Sequence, residues 1–195
     1  MRWPVTLTGP AVVLRPLRLR DRRVWDELRL RNRAWLERWE ATSPTPRAPI
    51  TFRQYVRDLD AQARAGSALP FVMEHEGEMV GQLTVASIYY GSLCSATIGY
   101  WISEHVAGRG ITTRAVALAA DHCWSGLGLH RIEINIRPEN TASLRVVEKL
   151  GFREEGVRRR YLHIDGDWRD HRSFALTAEE VPGGLLARLP AAGTR

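Results

Sequence analysis

The sequence predicts an α/β fold in which a mixed, mostly antiparallel central sheet is flanked by helices on both faces. Three observations predict it. Three β-rich runs, LPFVMEH (69–75), EMVGQLTVASIYY (78–90) and SLCSATIGYWI (92–102), follow one another across the turn-like breaks EGE and YGS, as in an antiparallel meander. Helical runs with apolar stripes lie both before and after that meander, and each stripe needs sheet surface to cover. Finally, VRRRYLHI (157–164) and WRDHRSFALT (168–177) meet at Asp165-Gly166, the strongest short hairpin signal in the chain.

In chain order, AVVLRPL (11–17) reads as the first strand. RDRRVWDELRLRNRAWLERW (20–39) follows with Val24, Leu28, Trp35 and Trp39 near helical spacing, a break around Asn32 and Asp21 as its cap. ATSPTPRAP (41–49) holds three prolines and must be a loop. TFRQYVRDLDAQARAG (51–66) then places Phe52, Tyr55, Val56, Leu59 and Ala63 on one helical face and stops at Gly66. After the meander a helix is expected from about 110 to 126. In HRIEINIRP (130–138), Ile132, Ile134 and Ile136 alternate with Arg131, Glu133 and Asn135, which leaves one face for the core and the other for work. ENTASLRVVEKLGF (139–152) reads as a helix capped near Asn140 and stopped by Gly151.

At 195 residues the chain is long enough for one domain with a full core and short for two. We expect one domain over residues 1–178 and a C-terminal tail over 179–195, loose after Pro182. A hydrophobic fraction of 44% and a charged fraction of 26% are ordinary for a globular protein, and no apolar run reaches the ~18 residues of a membrane span. The opening MRWPVTLTGP lacks the apolar segment of a secretory signal, so a cytoplasmic protein is expected. Cys94 and Cys123 form no Cys-x-x-Cys pair and read as small apolar fillers. His105, His122, His130, His163 and His171 show no ligand spacing, so no metal is expected. The net charge of +6 is spread along the chain, which suits nucleic acid, an anionic cofactor or a partner carried on a ribosome. RRRYLH (158–163) is a basic strand that either contacts RNA, steers an acidic peptide or is simply solvated on its arginine face.

The segment AGRGITT (107–113) directly follows a strand and opens a helix, so it presents consecutive backbone N–H groups at a positive helix end. Such a unit attracts phosphate: Gly108 and Gly110 remove side chains that would hold a bulky anion away, Thr112 and Thr113 offer hydroxyls, and Arg109 offers a charge-assisted contact. Neither the Walker pattern nor the triple-glycine dinucleotide fingerprint is present.

The chain resembles the GNAT superfamily of acetyl-coenzyme A dependent N-acetyltransferases. That superfamily's pyrophosphate loop follows Gln/Arg-x-x-Gly-x-Gly/Ala, and Ala107, Gly110 and Thr112 occupy the three marked places here. RIEINIRPENTASLRVVEKLGF (131–152) follows its strand, Asn-x-x-Ser/Ala, helix and Leu-Gly-Phe ending almost residue for residue. Within the superfamily, NRAWLERWE (32–40), NTASLRVVEKLGF (140–152) and YLHIDGDWRDH (161–171) resemble the ribosomal-protein alanine N-acetyltransferases, over roughly residues 10–178.

The resemblance implies acetyl-CoA as cofactor, a protein N-terminus as acceptor, and direct attack of the amine on the thioester. It implies that the cofactor runs along the strand GYWI beside Tyr100, Trp101 and Ile102, with Gly108, Arg109, Gly110, Thr112, Thr113 and Asn140 completing its site. The positions where some relatives carry a catalytic glutamate and tyrosine are Asn135 and Val147 here, neither of which can exchange a proton at neutral pH. Ser143 is expected to hydrogen-bond or protonate the leaving thiolate, or else to serve only as a helix-start residue. For the base, Glu104 and Glu133 are candidates, each also readable as a surface carboxylate, and water held by Asn135 or Glu104 is the alternative. Trp35 and Trp39 either wall the acceptor groove or fill the core. An N-terminal α-amine, with a pKa near ~7.8 against ~10.4 for lysine, is the chemically easier acceptor. Two alternatives stand beside this reading: a small-amine acetyltransferase for a polyamine, amino sugar or antibiotic, and a non-catalytic CoA- or RNA-binding module.

Overall fold

A computed structural model describes residues 3–45 and 48–191. Eight strands form one sheet in the order β1-β2-β3-β4-β5-β6-β8-β7. Every neighbouring pair is antiparallel except β5 and β6, which run parallel, so the mixed, mostly antiparallel sheet expected from sequence is the one observed.

The strand predicted at 11–17 is β2 (Val12–Pro16), and it is preceded by a short β1 (Leu7–Gly9) that the sequence did not announce. The two pair across a turn in which Ala11 takes a positive φ of 64°. The 20–39 segment is helical and breaks at Asn32, giving α1 (Arg22–Arg31) and α2 (Arg33–Leu36). Two details differ from expectation. Trp25 and Leu28 are the buried residues of α1, while Val24 is exposed, because the helix turns Trp25 toward the sheet. Asp21 precedes α1 without capping it: its carboxylate instead accepts from the Arg18 N–H at 2.8 Å and from the buried Arg15 guanidinium at 2.7 Å.

Helix α3 (Phe52–Arg64) starts where the side chain of Thr51 accepts the Gln54 N–H, and buries Val56 and Ala63. The meander is β3 (Leu69–His75), β4 (Glu78–Tyr89) and β5 (Ser95–Ile102). Alternation along β3 assigns the two faces: Leu69, Phe71 and Met73 enter a large core shared with the later helices, and Val72 enters a smaller one shared with α1 and α3.

Helix α4 (Ile111–Leu127) is alanine-rich and packs Ala115, Ala119, Ala120 and Cys123 flat against the sheet, each at most 1% exposed. Burial pushes the Cys123 thiol up to about 12, so it stays a protonated filler. Then follow β6 (Arg131–Ile136), α5 (Thr141–Leu150), β7 (Arg153–Ile164) and β8 (Asp167–Thr177). Strand β7 starts four residues earlier than predicted, and Asp165 (φ 49°) with Gly166 (φ 75°) makes the expected tight hairpin into β8. The stretch after Pro182, expected to be loose, is docked as far as Pro190: Leu185 is buried in the large core, and Arg114 donates to the Pro190 carbonyl. Asp121 of α4 accepts the N–H groups of Leu185 and Leu186 at 2.7 and 3.0 Å. Among the described residues no helix is long and apolar enough to cross a membrane.

A fork in the sheet positions the rest. Strand β5 pairs with β4 along Gly81–Ala86, but with β6 only over Ser95–Thr97 against Arg131–Glu133. Beyond Thr97 the two parallel strands diverge, and the backbone of Ile98–Ile102 that faces β6 has no strand partner.

Candidate active site

Two cavities open at this fork. The larger, about 520 Å³, runs from the end of β5 along the start of α4 to the start of α5. The smaller, about 200 Å³, lies between β5, the end of β6 and the β7–β8 hairpin. Trp39, Tyr100, Asn140 and Ser143 line both, so the cavities meet there.

The start of α4 lies open along the larger cavity. Gly110 takes φ 79° at the N-cap, no side chain caps the first turn, and Gly108 takes φ 81° two residues earlier. A Cβ placed on either glycine would meet no protein atom within 4 Å, so the ground in front of these N–H groups is open. Thr112 and Thr113 line the same cavity from the first turn. Arg109 does not: its guanidinium donates to the carbonyl of His105 at 3.3 Å and points out to solvent. Positive charge comes instead from Arg38, Arg145 and Lys149. The last two lie four residues apart on one face of α5, a spacing visible in the sequence once the cavity is known.

The loop between β5 and α4 is fastened from the helix break. Asn32 is 2% exposed and donates to the Leu28 carbonyl at 2.8 Å and to Ser103 Oγ at 3.1 Å, while accepting the Glu104 N–H at 3.0 Å. Trp35 Nε1 donates to the carbonyl of Ile102 at 3.0 Å. The break that sequence shows only as an interruption therefore ties α1 and α2 to the end of β5. Trp35 and Trp39 wall the larger cavity, and Trp39 is flanked by the guanidinium groups of Arg38 and Arg137 at 5.0 and 5.4 Å. Trp101 lines that cavity too, with Nε1 donating to Gln82 at 3.2 Å.

At the meeting point, the Tyr100 hydroxyl is buried and makes no hydrogen bond of good geometry. Burial pushes its pKa up to about 12, with a smaller opposing pull from the neighbouring Ser143 hydroxyl, so it remains a proton-bearing donor without a protein acceptor. Ser143 sits in the first turn of α5, where its N–H donates to the Asn140 cap at 3.1 Å and its hydroxyl is left free for the cavity.

Of the two carboxylates expected as bases, the structure brings neither to the site. Glu104 is exposed in the turn after β5 and lines neither cavity. Glu133 is held by Arg131 Nε at 2.9 Å and by Arg158 at 2.8 Å. Asn135 does reach the smaller cavity, where its Oδ1 accepts from Ser173 at 2.7 Å. The group that sequence reasoning passed over is His171 of β8, weighed there only as a metal ligand: it is 3% exposed and lines the smaller cavity. Apolar walls are supplied by Ile98, Ile134, Ile136, Leu162 and Ile164, and Ala41 bridges to Ile164 to close one end.

Burial lowers the pKa of both His122 and His171, so the fold favours their neutral rings. Their contribution to stability is therefore complete above the unfolded histidine range and is lost as pH falls below it. The carboxylates whose pKa values the fold lowers, Glu154, Glu155, Glu179 and Glu180, act below about 4.5. Thermal melts are thus expected to drop between roughly pH 7 and pH 5 from the histidines. A melting temperature flat across that window would contradict the burial of both rings.

Residues 11–153 match the acetyltransferase (GNAT) domain family. Mycobacterium smegmatis RimJ, solved in complex with CoA-disulfide, is 45% identical with a TM-score of 0.90, and the alignment covers 96% of this chain and 94% of that one. The [ribosomal protein uS5]-alanine N-acetyltransferase of Escherichia coli is 30% identical over 183 residues, 92% of this chain and 94% of that one. Over 100 residues the chain is also 31% identical to Escherichia coli spermidine N(1)-acetyltransferase, covering 51% of this chain and 53% of that one.

Proposed function

Because the chain belongs to the GNAT acetyltransferase family and is an acetyl-CoA dependent N-acetyltransferase, we propose that its acceptor is the N-terminal α-amine of a protein, an alanine- or serine-starting ribosomal protein above all. The observation that carries this is the junction of two unlike cavities at Tyr100 and Ser143. One is long, has cationic side chains and ends on bare helix N–H groups, and the other is short, has isoleucine and leucine walls around a few polar groups, and is roomy enough for one small residue.

Acetyl-CoA supplies an acetyl thioester and a thiol leaving group. The residues present fit it: the open cradle at Gly108 and Gly110, with Thr112 and Thr113, would hold the diphosphate. The backbone of Ile98–Tyr100, which has no strand partner on its β6 side, would take the amide-bearing arm. Tyr100 and Ser143 hold hydroxyl protons where charge develops on sulfur, in a site screened from water by Trp35 and Trp39. Asn140 shapes that corner through the α5 cap. Asn135, anchored by Ser173, orients the acceptor amine.

A polyamine acceptor favours carboxylates along its path. Here Glu139 is the one carboxylate lining either cavity, against Arg38, Arg137, Arg145 and Lys149. That balance favours a protein N-terminus over the polyamine that the half-length relative's name describes.

Incubation with acetyl-CoA and peptides starting with alanine or serine is expected to release free thiol, and the same peptides with a blocked N-terminus are expected to release none. Turnover on spermidine with none on the peptides would replace this reading by the small-amine one. Ser143→Ala is expected to lower turnover by roughly 10²-fold while acetyl-CoA still stabilises the fold, since the backbone N–H that serves the α5 cap is unchanged. Unaltered turnover in that variant would remove Ser143 from the chemistry.

A further inference from the structure

We propose that His171 is the catalytic base, accepting at Nε2 the proton that the acceptor amine sheds as it attacks. The inference rests on the reading of the smaller cavity as the acceptor site.

Geometry fixes the ring. Nδ1 lies 3.0 Å from the carbonyl oxygen of Arg169, which can only accept, so Nδ1 carries the hydrogen and Nε2 keeps its lone pair. Among the described residues no hydrogen bond reaches Nε2. The Tyr161 ring stands edge-on at 5.6 Å and fixes the imidazole plane from β7. Along β8, His171 and Ser173 alternate onto the same face, and Ser173 donates to Asn135 of β6, so the imidazole belongs to a polar cluster on an otherwise apolar wall.

Elimination then points the same way. Among the residues lining the smaller cavity, His171 is the only one able to accept a proton at neutral pH: Asn135 and Asn140 do not titrate, Arg137 is a cation, and Tyr100 and Ser143 hold their protons. Glu133 has both carboxylate oxygens committed to arginines, and Glu104 is elsewhere.

The charges around the ring are Asp170 on its own strand, Arg137 and Glu139 after β6, and Arg158 of β7, the last paired with Glu133 and lying over Tyr161. Burial has the largest effect and lowers the ring's pKa. The Arg169 carbonyl, Glu139 and Asp170 oppose it, and Arg137 adds to it. The ring is therefore neutral at pH 7 and free to take a proton.

In the step itself the amine lone pair forms the N–C bond, the C–S bond breaks with its electrons going to sulfur, and the surplus proton on nitrogen moves to His171 Nε2. The sulfur takes a proton from the Tyr100–Ser143 hydroxyl pair. His171 gives its proton to water, and the hydroxyl pair recovers one from water, so no net acid or base is consumed.

Two measurements decide it. In the first, nitrogen-15 NMR follows the imidazole of the wild-type protein without acetyl-CoA. The expected result is an Nδ1–H tautomer at pH 7, a protonation midpoint below that of free histidine, and an Nε2 signal that moves on adding an alanine-starting peptide but not its N-acetylated form. An Nε2–H tautomer, or an Nε2 signal indifferent to a peptide that binds, overturns the proposal. In the second, His171→Gln is expected to keep its stabilisation by acetyl-CoA, to lose roughly 10²-fold in kcat and to lose the acid limb that tracks the His171 midpoint measured by NMR, leaving only the limb set by the acceptor amine. Wild-type turnover of the peptide with an unchanged profile in His171→Gln sinks His171 alone. Absence of wild-type turnover on any peptide sinks the acceptor reading instead. Should His171→Gln not fold, the NMR measurement on the wild type decides by itself.

Discussion

Gly110→Val is expected to abolish the stabilisation of this protein by acetyl-CoA. For the wild type, ligand at about 100 times its Kd adds ~2.7 kcal/mol. In a chain of this size that corresponds to a rise in melting temperature of roughly 5–10 °C. Gly110 stands at φ 79° at the head of α4, and a Cβ there would meet no protein atom within 4 Å, so a valine side chain would occupy the ground that a diphosphate needs. Valine at positive φ also carries strain of order 1–3 kcal/mol, which lowers the melting point of the unliganded variant whatever it does to binding. Gly91→Val separates the two effects. Gly91 has φ 72° and equally open surroundings in the β4–β5 turn, and lines neither cavity. It is expected to show the same strain with the ligand-induced rise intact. A full rise in Gly110→Val would mean that the N–H groups of α4 do not hold the cofactor.

Leu185→Ala is expected to cost the fold more stability than either glycine variant. Leu185 is 0% exposed, and truncating a fully buried leucine costs ~2–5 kcal/mol through lost transfer energy and the cavity left behind. The melting temperature should fall by roughly 5–15 °C. The residue enters the core because Asp121 accepts the N–H groups of both Leu185 and Leu186, while Arg114 donates to the carbonyl of Pro190 at 2.6 Å. Both partners are on α4, so this segment clasps the helix whose first turn lines the larger cavity. The acetyl-CoA response should survive, because neither partner lines the larger cavity. A variant that melts with the wild type would show that the segment is not docked in solution.

The two variants mark where sequence reading succeeded and where it ran out. Patterns closed over a few residues were legible: the Asp165-Gly166 hairpin, the Asn140 cap, the αL stop at Gly151, the alternation of Ile132, Ile134 and Ile136, and the glycine-rich mouth of α4. Interactions between distant positions were not. Asn32 could be read as a helix interruption, but its bonds to Ser103 and Glu104 join residues about seventy apart. Arg109 was expected to add a charge-assisted contact from between the glycines, yet it turns to His105, and the cationic lining comes from Arg38, Arg145 and Lys149 on other elements. His171 closes the block YLHIDGDWRDH that carries the family resemblance, but nothing along β8 says that its ring lines a cavity shared with β5 and β6. The Leu185 segment was expected to be loose, and what fastens it comes from α4: the Asp121 carboxylate on the N–H groups of Leu185 and Leu186, and Arg114 on the carbonyl of Pro190.

The short pairing between β5 and β6 also decides what can reach the strand edge it leaves open. An unpaired strand edge is normally a hazard, because a strand from another molecule can add to it and seed aggregation. Here the row Ile98–Ile102 faces the two cavities, between β6, α5 and the tryptophan wall, rather than the outer rim of the sheet. The protein thus keeps its open edge in the middle of the sheet, away from the outer strands where sheet-to-sheet addition would start.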